Sequence, residues 1–220
     1  MAAGDHIFVS VGKTATEEQE AFVCSVEARL RAEGLVPHTV GRDTFSSDAP
    51  LKTISDLMKR CTGVIVIALE RTYFPAGFDR PGGSQQTPLA GVRLATPWNQ
   101  IEAAMAYASG LPLLVIVQTG VKREGLLEPG YDWYVQQMPL AASSLATAEF
   151  NGVLASWKQK LEEGRPGAQA AASKSIDAGQ MTVGQMLSSF KAAQLWAVLT
   201  AIATMIVGAF SLGAYLFSKH

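Results

Sequence analysis

The stretch from Ala95 to Gly110, ATPWNQIEAAMAYASG, contains an aromatic residue and an acid at a spacing that could support catalysis. Thr96 and Pro97 are typical of a helix start, so Trp98 and Glu102 lie four residues apart on one face of the predicted helix. A carboxylate in this position could stabilise or attack the cationic ribosyl centre that forms when an N-glycosidic bond breaks. The alternative is that Glu102 is a first-turn acid favoured by the helix dipole and that Trp98 is a packing residue.

Polar residues follow three of the predicted strands, at the edge where open parallel sheets bind ligands. These strands are predicted over 6–12, 35–41 and 63–69, and the helix that carries Glu102 starts at the same edge. Glu102 is therefore the candidate catalytic residue at this edge, and the alternative of a first-turn acid remains open at this point. The expected substrate-binding residues are Ser10, Gly12, Arg42, Asp43, Tyr73, Trp98 and Asn99. The edge also includes Lys13, Glu70 and Arg71, although solvation alone makes such loops polar.

The composition argues against several other classes of function. The chain has 18 Lys and Arg against 19 Asp and Glu, and this near balance predicts no nucleic-acid partner. The GKT at 12–14 suggests a phosphate loop, but that motif needs a glycine where the chain has Ile7. Cys24 and Cys61 lack the CxxC or CxxH spacing of a metal site, so we expect reduced cytoplasmic thiols. We predict neither a metal nor a cofactor.

The order of the predicted elements defines the fold class. Short apolar strands alternate with amphipathic segments as β-α-β-α-β-α-β-α, with a fourth strand over 111–118 and a last helix over 146–162. The segment 63–69, GVIVIAL, is apolar on both faces and should be a central strand. This order requires parallel strands joined by right-handed crossovers, with helices on both faces. We therefore predict a doubly wound, flavodoxin-like α/β domain over residues 1–162.

The C-terminal part of the chain has a different composition. Residues 163–190 are rich in Gly, Ala, Ser and Gln, which predicts a linker that could include a juxtamembrane helix. Residues 192–218 carry no charge, and Trp196 and Tyr215 would be roughly 29 Å apart along a helix, close to the hydrocarbon thickness of a bilayer. We therefore predict a single transmembrane helix over 191–218. It would anchor the protein in the lipid bilayer with its N-terminal domain in the cytoplasm.

Three segments resemble the TIR domain and its relatives among the nucleoside deoxyribosyltransferases. HIFVSVG at 6–12 resembles the first TIR strand, which ends in a small hydroxyl residue. ISDLMKRCTGVIVIALERTYF at 54–74 resembles the TIR helix, central strand and Tyr-containing turn. TPWNQIEAAMAYASGLPLLVIV at 96–117 resembles the stretch in which a Trp is followed four residues later by a Glu. Residues 74–95 depart from the pattern, and their glycines and prolines predict either a flexible lid or a solvated insertion.

The resemblance implies a function for the candidate residues. In catalytic TIR domains the corresponding Glu is needed to cleave NAD at the nicotinamide bond, so the role falls on Glu102, with NAD as substrate. Ser10, Gly12 and Trp98 would line the pocket, and residues 42–48 would form a mobile loop. The deoxyribosyltransferase relatives instead use a Glu on the corresponding helix as a nucleophile on the sugar of other nucleosides or nucleotides.

Assembly is a further implication of the resemblance, because TIR domains commonly act when clustered. Small residues recur along the predicted span, which favours close helix contact in the bilayer and a homo-oligomer. The expected protein is therefore a membrane-anchored effector that destroys NAD in antiviral defence or stress signalling. The alternatives are a non-catalytic scaffold that binds a nucleotide or self-associates at the membrane, and a deoxyribosyltransferase-like glycosidase.

Overall fold

A five-stranded parallel sheet is the frame of the protein, seen in a computed structural model that describes residues 4–164. Its strands are β1 (His6–Val11), β2 (Val36–His38), β3 (Gly63–Ala68), β6 (Leu113–Gln118) and β7 (Tyr134–Met138). A separate antiparallel hairpin consists of β4 (Thr72–Asp79) and β5 (Thr87–Leu94). The helices are α1 (Glu17–Ala32), α2 (Pro50–Met58), α3 (Pro97–Ala108) and α4 (Ala148–Glu163).

The strands of the large sheet follow the order β2-β1-β3-β6-β7, and every neighbouring pair is parallel. The chain first winds from β1 outward to β2, then crosses back to β3 and continues in the opposite direction. This is the strand order of flavodoxin-like proteins. The predicted α/β class with a doubly wound parallel sheet is therefore confirmed for the described residues.

Alternate residues of the strands build two hydrophobic layers, one on each face of the sheet. Ile7, Val9 and Ile65 belong to the layer that packs against α1 and α4. Phe8 and Val64 belong to the layer that packs against α2 and α3. Because both faces are covered, β3 is buried along its whole length, which explains its uninterrupted apolar sequence.

The contact between α4 and β3 is unusually close. A Cβ atom on Gly63 would clash with the Leu161 side chain and would lie 2.9 Å from Cζ2 of Trp157. The Trp157 indole N–H also donates a hydrogen bond of 3.1 Å to the carbonyl of Pro112. The last helix is therefore held against the sheet edge at which β3 and β6 begin.

The segment 74–95, expected to be a flexible lid or a solvated insertion, forms most of the β4–β5 hairpin, and none of its residues is buried. Its register pairs Thr72 with Leu94 and Asp79 with Thr87. A hydrogen bond of 2.8 Å from the Lys122 N–H to the Arg93 carbonyl joins β5 to the loop after β6. The segment therefore agrees with the expected solvated insertion, although backbone hydrogen bonding gives it a regular structure despite its glycines and prolines.

No helix within residues 4–164 is both long enough and apolar enough to cross a membrane. The span predicted over 191–218 lies outside the described residues. So do all but the first two residues of the linker predicted over 163–190.

Candidate active site

The strand order places a crevice between β1 and β3, where the crossovers leave the sheet in opposite directions. Val11 at the end of β1 is in register with Ile67 near the end of β3, so the loops that follow these strands start side by side. The helix α3 begins at the same edge, after the hairpin that follows β3. In open α/β sheets this crevice is the usual place for a ligand.

Three buried polar side chains form a hydrogen-bonded chain beside the crevice. The Asn99 amide donates to the Ser10 hydroxyl over 3.0 Å between Nδ2 and Oγ, and the Ser10 side chain is hydrogen-bonded to the Glu102 carboxyl. Asn99 is 0 %, Ser10 1 % and Glu102 8 % exposed. Ser10 thereby links the end of β1 to one face of α3.

The carboxyl group of Glu102 is in an environment that disfavours its charge. Burial raises the pKa of Glu102 to about 7, and the hydrogen bond from Ser10 offsets only part of this effect. No ion pair within residues 4–164 involves Glu102. A strongly perturbed acid without a cationic partner is more typical of a functional site than of a structural ion pair.

The alternative interpretation of Glu102 as a first-turn acid does not agree with the structure. Glu102 is the sixth residue of α3, and the first turn of that helix contains no acid. The influence of the helix dipole is confined to the terminal turn, so it does not explain a carboxyl group here. Thr96 and Pro97 do form the expected start of the helix, and the Thr96 hydroxyl accepts a hydrogen bond from the Trp98 N–H.

A cavity of about 210 Å³ opens in front of this polar chain. It is lined by Gly12, Lys13, Leu69, Glu70, Arg71, Thr96, Trp98 and Asn99. Trp98 is 40 % exposed, so part of its indole ring is available to a ligand. Ser10 and Glu102 are next to Asn99 but do not line this cavity themselves.

Asn99 connects the cavity with the buried acid. It lines the cavity, and its side-chain oxygen is buried without a hydrogen-bond partner in the described structure. Buried acceptors are nearly always paired, so the unpaired oxygen of Asn99 is an unusual feature in a residue that lines a cavity.

The close approach of β1 and α3 depends on Gly12. A Cβ atom at this position would lie 2.9 Å from the Cγ2 atom of Thr96, the residue that caps α3. Any side chain at position 12 would therefore push the helix start away from the strand end. The predicted role of Gly12 in lining the pocket matches its position.

Two glutamines that the sequence analysis did not single out hold the turn after β3. The Gln19 amide donates to the Glu70 carbonyl over 2.9 Å, and the Gln118 side-chain oxygen accepts from the Glu70 N–H at 2.8 Å. Gln19 occupies a core-facing position of α1, in phase with the buried Phe22 and Val23. A polar residue in phase with an apolar stripe was the signal that could have identified it.

Three of the expected substrate-binding residues do not line this cavity and make their contacts elsewhere, so their role in binding stays a prediction. Arg42 is bound to Glu20 on α1, and this pairing lowers the pKa of Glu20 to about 2. Asp43 accepts a hydrogen bond of 2.7 Å from the Thr39 N–H. Tyr73 projects from the hairpin. Spacing along the chain places loops at a sheet edge but does not determine the direction in which they fold.

Tyr73 keeps an indirect connection to the cavity. Its ring lies 5.1 Å from the guanidinium carbon of Arg93, and the Arg93 Nε atom is 3.0 Å from a carboxylate oxygen of Glu70. Because Glu70 lines the cavity, the hairpin is attached to the cavity rim through an ion pair.

A larger cavity of about 550 Å³ lies between β2 and the end of α2, and Asp43 lines it together with His6 and His38. The two imidazole rings are already hydrogen-bonded to each other over 2.7 Å, and Asp43 is bound to the Thr39 N–H. We favour the smaller cavity as the functional site, because it lies at the crevice between β1 and β3 and adjoins the perturbed acid Glu102 through Asn99. Within residues 4–164, no three His, Cys, Asp or Glu side chains converge to hold a metal ion.

Comparison with known proteins gives no family for the chain: no family model matches it, and no curated protein is significantly similar. Among solved structures, a CMP N-glycosidase from Clostridium botulinum is 16 % identical at a TM-score of 0.33, covering 51 % of this chain and 71 % of that one. The flavodiiron core of Flv1 from Synechocystis is 12 % identical at a TM-score of 0.41, covering 74 % and 37 %. The TIR domains of the activated Roq1 resistosome are 10 % identical at a TM-score of 0.33, covering 90 % and 99 %. At TM-scores this low, none of these similarities places the chain in a group.

Proposed function

We propose that the protein cleaves the N-glycosidic bond of NAD or a related nucleotide, with Glu102 as the catalytic carboxylate. The observation that carries this proposal is the buried carboxyl group of Glu102, which has no ion pair within residues 4–164 and is hydrogen-bonded to Ser10, next to Asn99 at the wall of a cavity of about 210 Å³. The motif resemblance to catalytic TIR domains, in which a Glu follows a Trp by four residues, supports the same role.

The reaction needs little more than such a carboxylate. The bond between C1′ of the ribose and the pyridinium nitrogen breaks, and nicotinamide leaves as a neutral base with the electron pair. The ribosyl centre becomes cationic, and the ionised Glu102 stabilises this charge in a site of low polarity. A water molecule then adds to C1′ and releases a proton to solvent, which leaves ADP-ribose.

The remaining residues have supporting roles in this proposal. Trp98 provides an aromatic surface for a base, and the free Asn99 oxygen accepts a hydrogen bond from a ribose hydroxyl. Ser10 fixes the orientation of both Asn99 and Glu102. We further propose that the uncharged segment 192–218 anchors this enzyme in a membrane. There it acts in clusters, in defence or stress signalling.

The test is NAD turnover by the full chain, clustered in liposomes, next to the variants Glu102→Gln and Glu124→Gln at equal concentration. Glu124 is a matched control, because its carboxylate lies in the loop after β6 and pairs with Lys122 outside the cavity. We expect the parent and Glu124→Gln to release nicotinamide. Glu102→Gln should lose about 10²-fold or more of the rate, because it removes a charge used only in the transition state.

The opposite results separate the alternatives. Turnover of other nucleosides but not of NAD would favour a deoxyribosyltransferase-like glycosidase. If the parent cleaves neither, a nucleotide-binding or self-associating scaffold takes the place of the enzyme. If the parent is active and Glu102→Gln is equally active, the protein is an enzyme but the catalytic role of Glu102 is refuted.

A further inference from the structure

Two positive side chains line the candidate cavity without any partner of their own. Lys13 and Arg71 are both exposed, and within residues 4–164 neither side chain takes part in an ion pair or a hydrogen bond, although the Arg71 backbone N–H donates to the Leu94 carbonyl. In the same part of the chain, the cations Arg29, Arg42 and Lys158 are held in ion pairs. The cavity therefore has unsatisfied positive charge on one wall.

The strand register brings these two cations together. Lys13 is two residues beyond Val11, and Arg71 is four residues beyond Ile67, with which Val11 is paired. Both residues thus follow the ends of two adjacent parallel strands, and such strands are spaced about 5 Å apart. The acid in the lining, Glu70, does not neutralise them, because its carboxylate is bound to Arg93 on the hairpin.

The start of α3 adds to the positive character of this wall. Thr96 and Trp98, its cap and second residue, line the cavity, and the positive end of the helix dipole favours an anion there. Direct N–H contacts are not part of this effect, because Pro97 has no N–H and those of Trp98 and Asn99 are bonded to Thr96. The buried and unpartnered oxygen of Asn99 at the same wall is an independent indication that a ligand binds here.

We infer that Lys13 and Arg71, together with the start of α3, bind a phosphate group of the nucleotide on which Glu102 acts. The inference rests on the proposed function for the identity of the ligand, and it narrows the substrate class to phosphorylated nucleosides. The phosphate lies on the wall formed by the loops after β1 and β3, and the base lies against Trp98. A nucleoside without a phosphate lacks the group that this wall recognises.

The experiment measures binding rather than turnover, so that it stands apart from the catalytic proposal. Nicotinamide mononucleotide and nicotinamide riboside differ only in the 5′-phosphate, and each is titrated into the full chain carrying Glu102→Gln. Inorganic phosphate is a third probe. The same titrations are made with Lys13→Gln plus Arg71→Gln added, and with Arg123→Gln plus Lys122→Gln added. Lys122 and Arg123 lie outside the cavity, and replacing them by Gln removes as much positive charge as replacing Lys13 and Arg71.

We expect the mononucleotide to bind at least roughly tenfold more tightly than the riboside. This is the gain in affinity that a charged hydrogen bond between the 5′-phosphate and a partly exposed cation provides. The Lys13 and Arg71 substitutions should remove this difference, whereas those at 122 and 123 should preserve it. Inorganic phosphate should compete with the mononucleotide only weakly, because the base contributes to binding.

Equal affinity for the two probes, or no measurable binding of the mononucleotide, would overturn the inference. So would an equal loss of binding in both double variants, because that would indicate a general effect of charge. If phosphate-dependent binding is found but the parent cleaves no substrate, the phosphate site stands and the catalytic proposal fails.

Discussion

The carboxyl group of Glu102 changes its charge close to neutral pH, and this has a consequence for stability. Its pKa is raised from an ordinary value near 4.5 to about 7, because the folded protein buries it. Between these two pH values the folded state holds a proton that the unfolded state has released. Stability is therefore fully retained below about pH 4.5 and falls as the pH rises to 7.

We predict that Glu102→Gln stabilises the protein in a pH-dependent way. Above pH 7 the parent carries a buried charge that costs about 3 kcal/mol, and the uncharged amide avoids this cost. The difference in free energy of unfolding between variant and parent should shrink towards zero as the pH falls to about 4.5. Urea titrations from pH 4.5 to 8 measure it.

Glu33→Gln is the control with the opposite sign. The Glu33 carboxylate accepts hydrogen bonds from Lys158 and Arg29, and these lower its pKa. This variant should be less stable than the parent at neutral pH, with the difference disappearing in acid. A Glu102→Gln profile that is flat or runs in the same direction as that of Glu33→Gln would contradict the burial of the Glu102 charge.

The individual site residues were predictable from the sequence only where an element fixes the side chain. Asn99 and Glu102 are on α3, and Ser10 is at the end of β1, so the helix period and the strand end determine where they lie. Arg42, Asp43 and Tyr73 follow strands but belong to a loop or a hairpin. Their contacts depend on Glu20, Thr39 and Arg93, which no local pattern connects with them.

At the scale of elements, the fit between β3 and α4 can be tested with a pair of glycines. Gly63→Ala places a methyl group against Leu161 and Trp157, where the structure has no room for it. We expect this substitution to lower the free energy of unfolding by about 1–3 kcal/mol, as overpacking does in a dense core. Thermal or urea unfolding of the full chain measures the change.

Gly152→Ala is the matched control on the same helix. Gly152 is an exposed residue of α4, and a Cβ atom there would meet nothing within 4 Å. Because Ala favours the helix, this variant should be more stable by about 0.5–1 kcal/mol. If both variants were destabilised equally, the close contact at Gly63 would not be the reason.

The elements that the sequence analysis missed lack an apolar repeat. The strand β7, Tyr134–Met138, contains Gln136 and Gln137 in five residues, and its alternation is too short to stand out. The hairpin strand β4 contains Pro75 and Gly77, which normally argue against a strand. By contrast, β1, β3 and β6 are apolar runs that predict buried strands directly. The edge strand β2 was also predicted, over 35–41 where the structure has Val36–His38, so β7 is the strand of the large sheet that was missed.

At the scale of the whole molecule, the predicted membrane span over 191–218 makes a specific prediction. The full chain should stay in the membrane fraction after an alkaline carbonate wash. The paired change Ile206→Asp and Val207→Lys should release it, because each charge at the centre of a span costs about 3 kcal/mol.

The control places the same two charges in the predicted linker, as Ala170→Asp and Ala171→Lys, and should leave the protein in the membrane fraction. Release of the parent itself by the wash, or equal release of both charged variants, would refute the predicted anchor. The enzymatic proposal is independent of this result, because Glu102 and the cavity belong to residues 4–164.

The hydrogen-bonded chain of Ser10, Asn99 and Glu102 also limits how the protein can evolve. The three side chains are buried. Asn99 and Glu102 are one turn apart on α3, and both are hydrogen-bonded to Ser10 on β1. Replacing Ser10 or Asn99 by an apolar residue leaves a buried partner without its hydrogen bond, which destabilises the protein. Glu102→Gln is different, because the amide avoids a buried charge, so only the loss of catalysis opposes it. We therefore expect lineages that descend from this protein to keep Ser10 and Asn99 together, and to keep Glu102 only where the activity is retained.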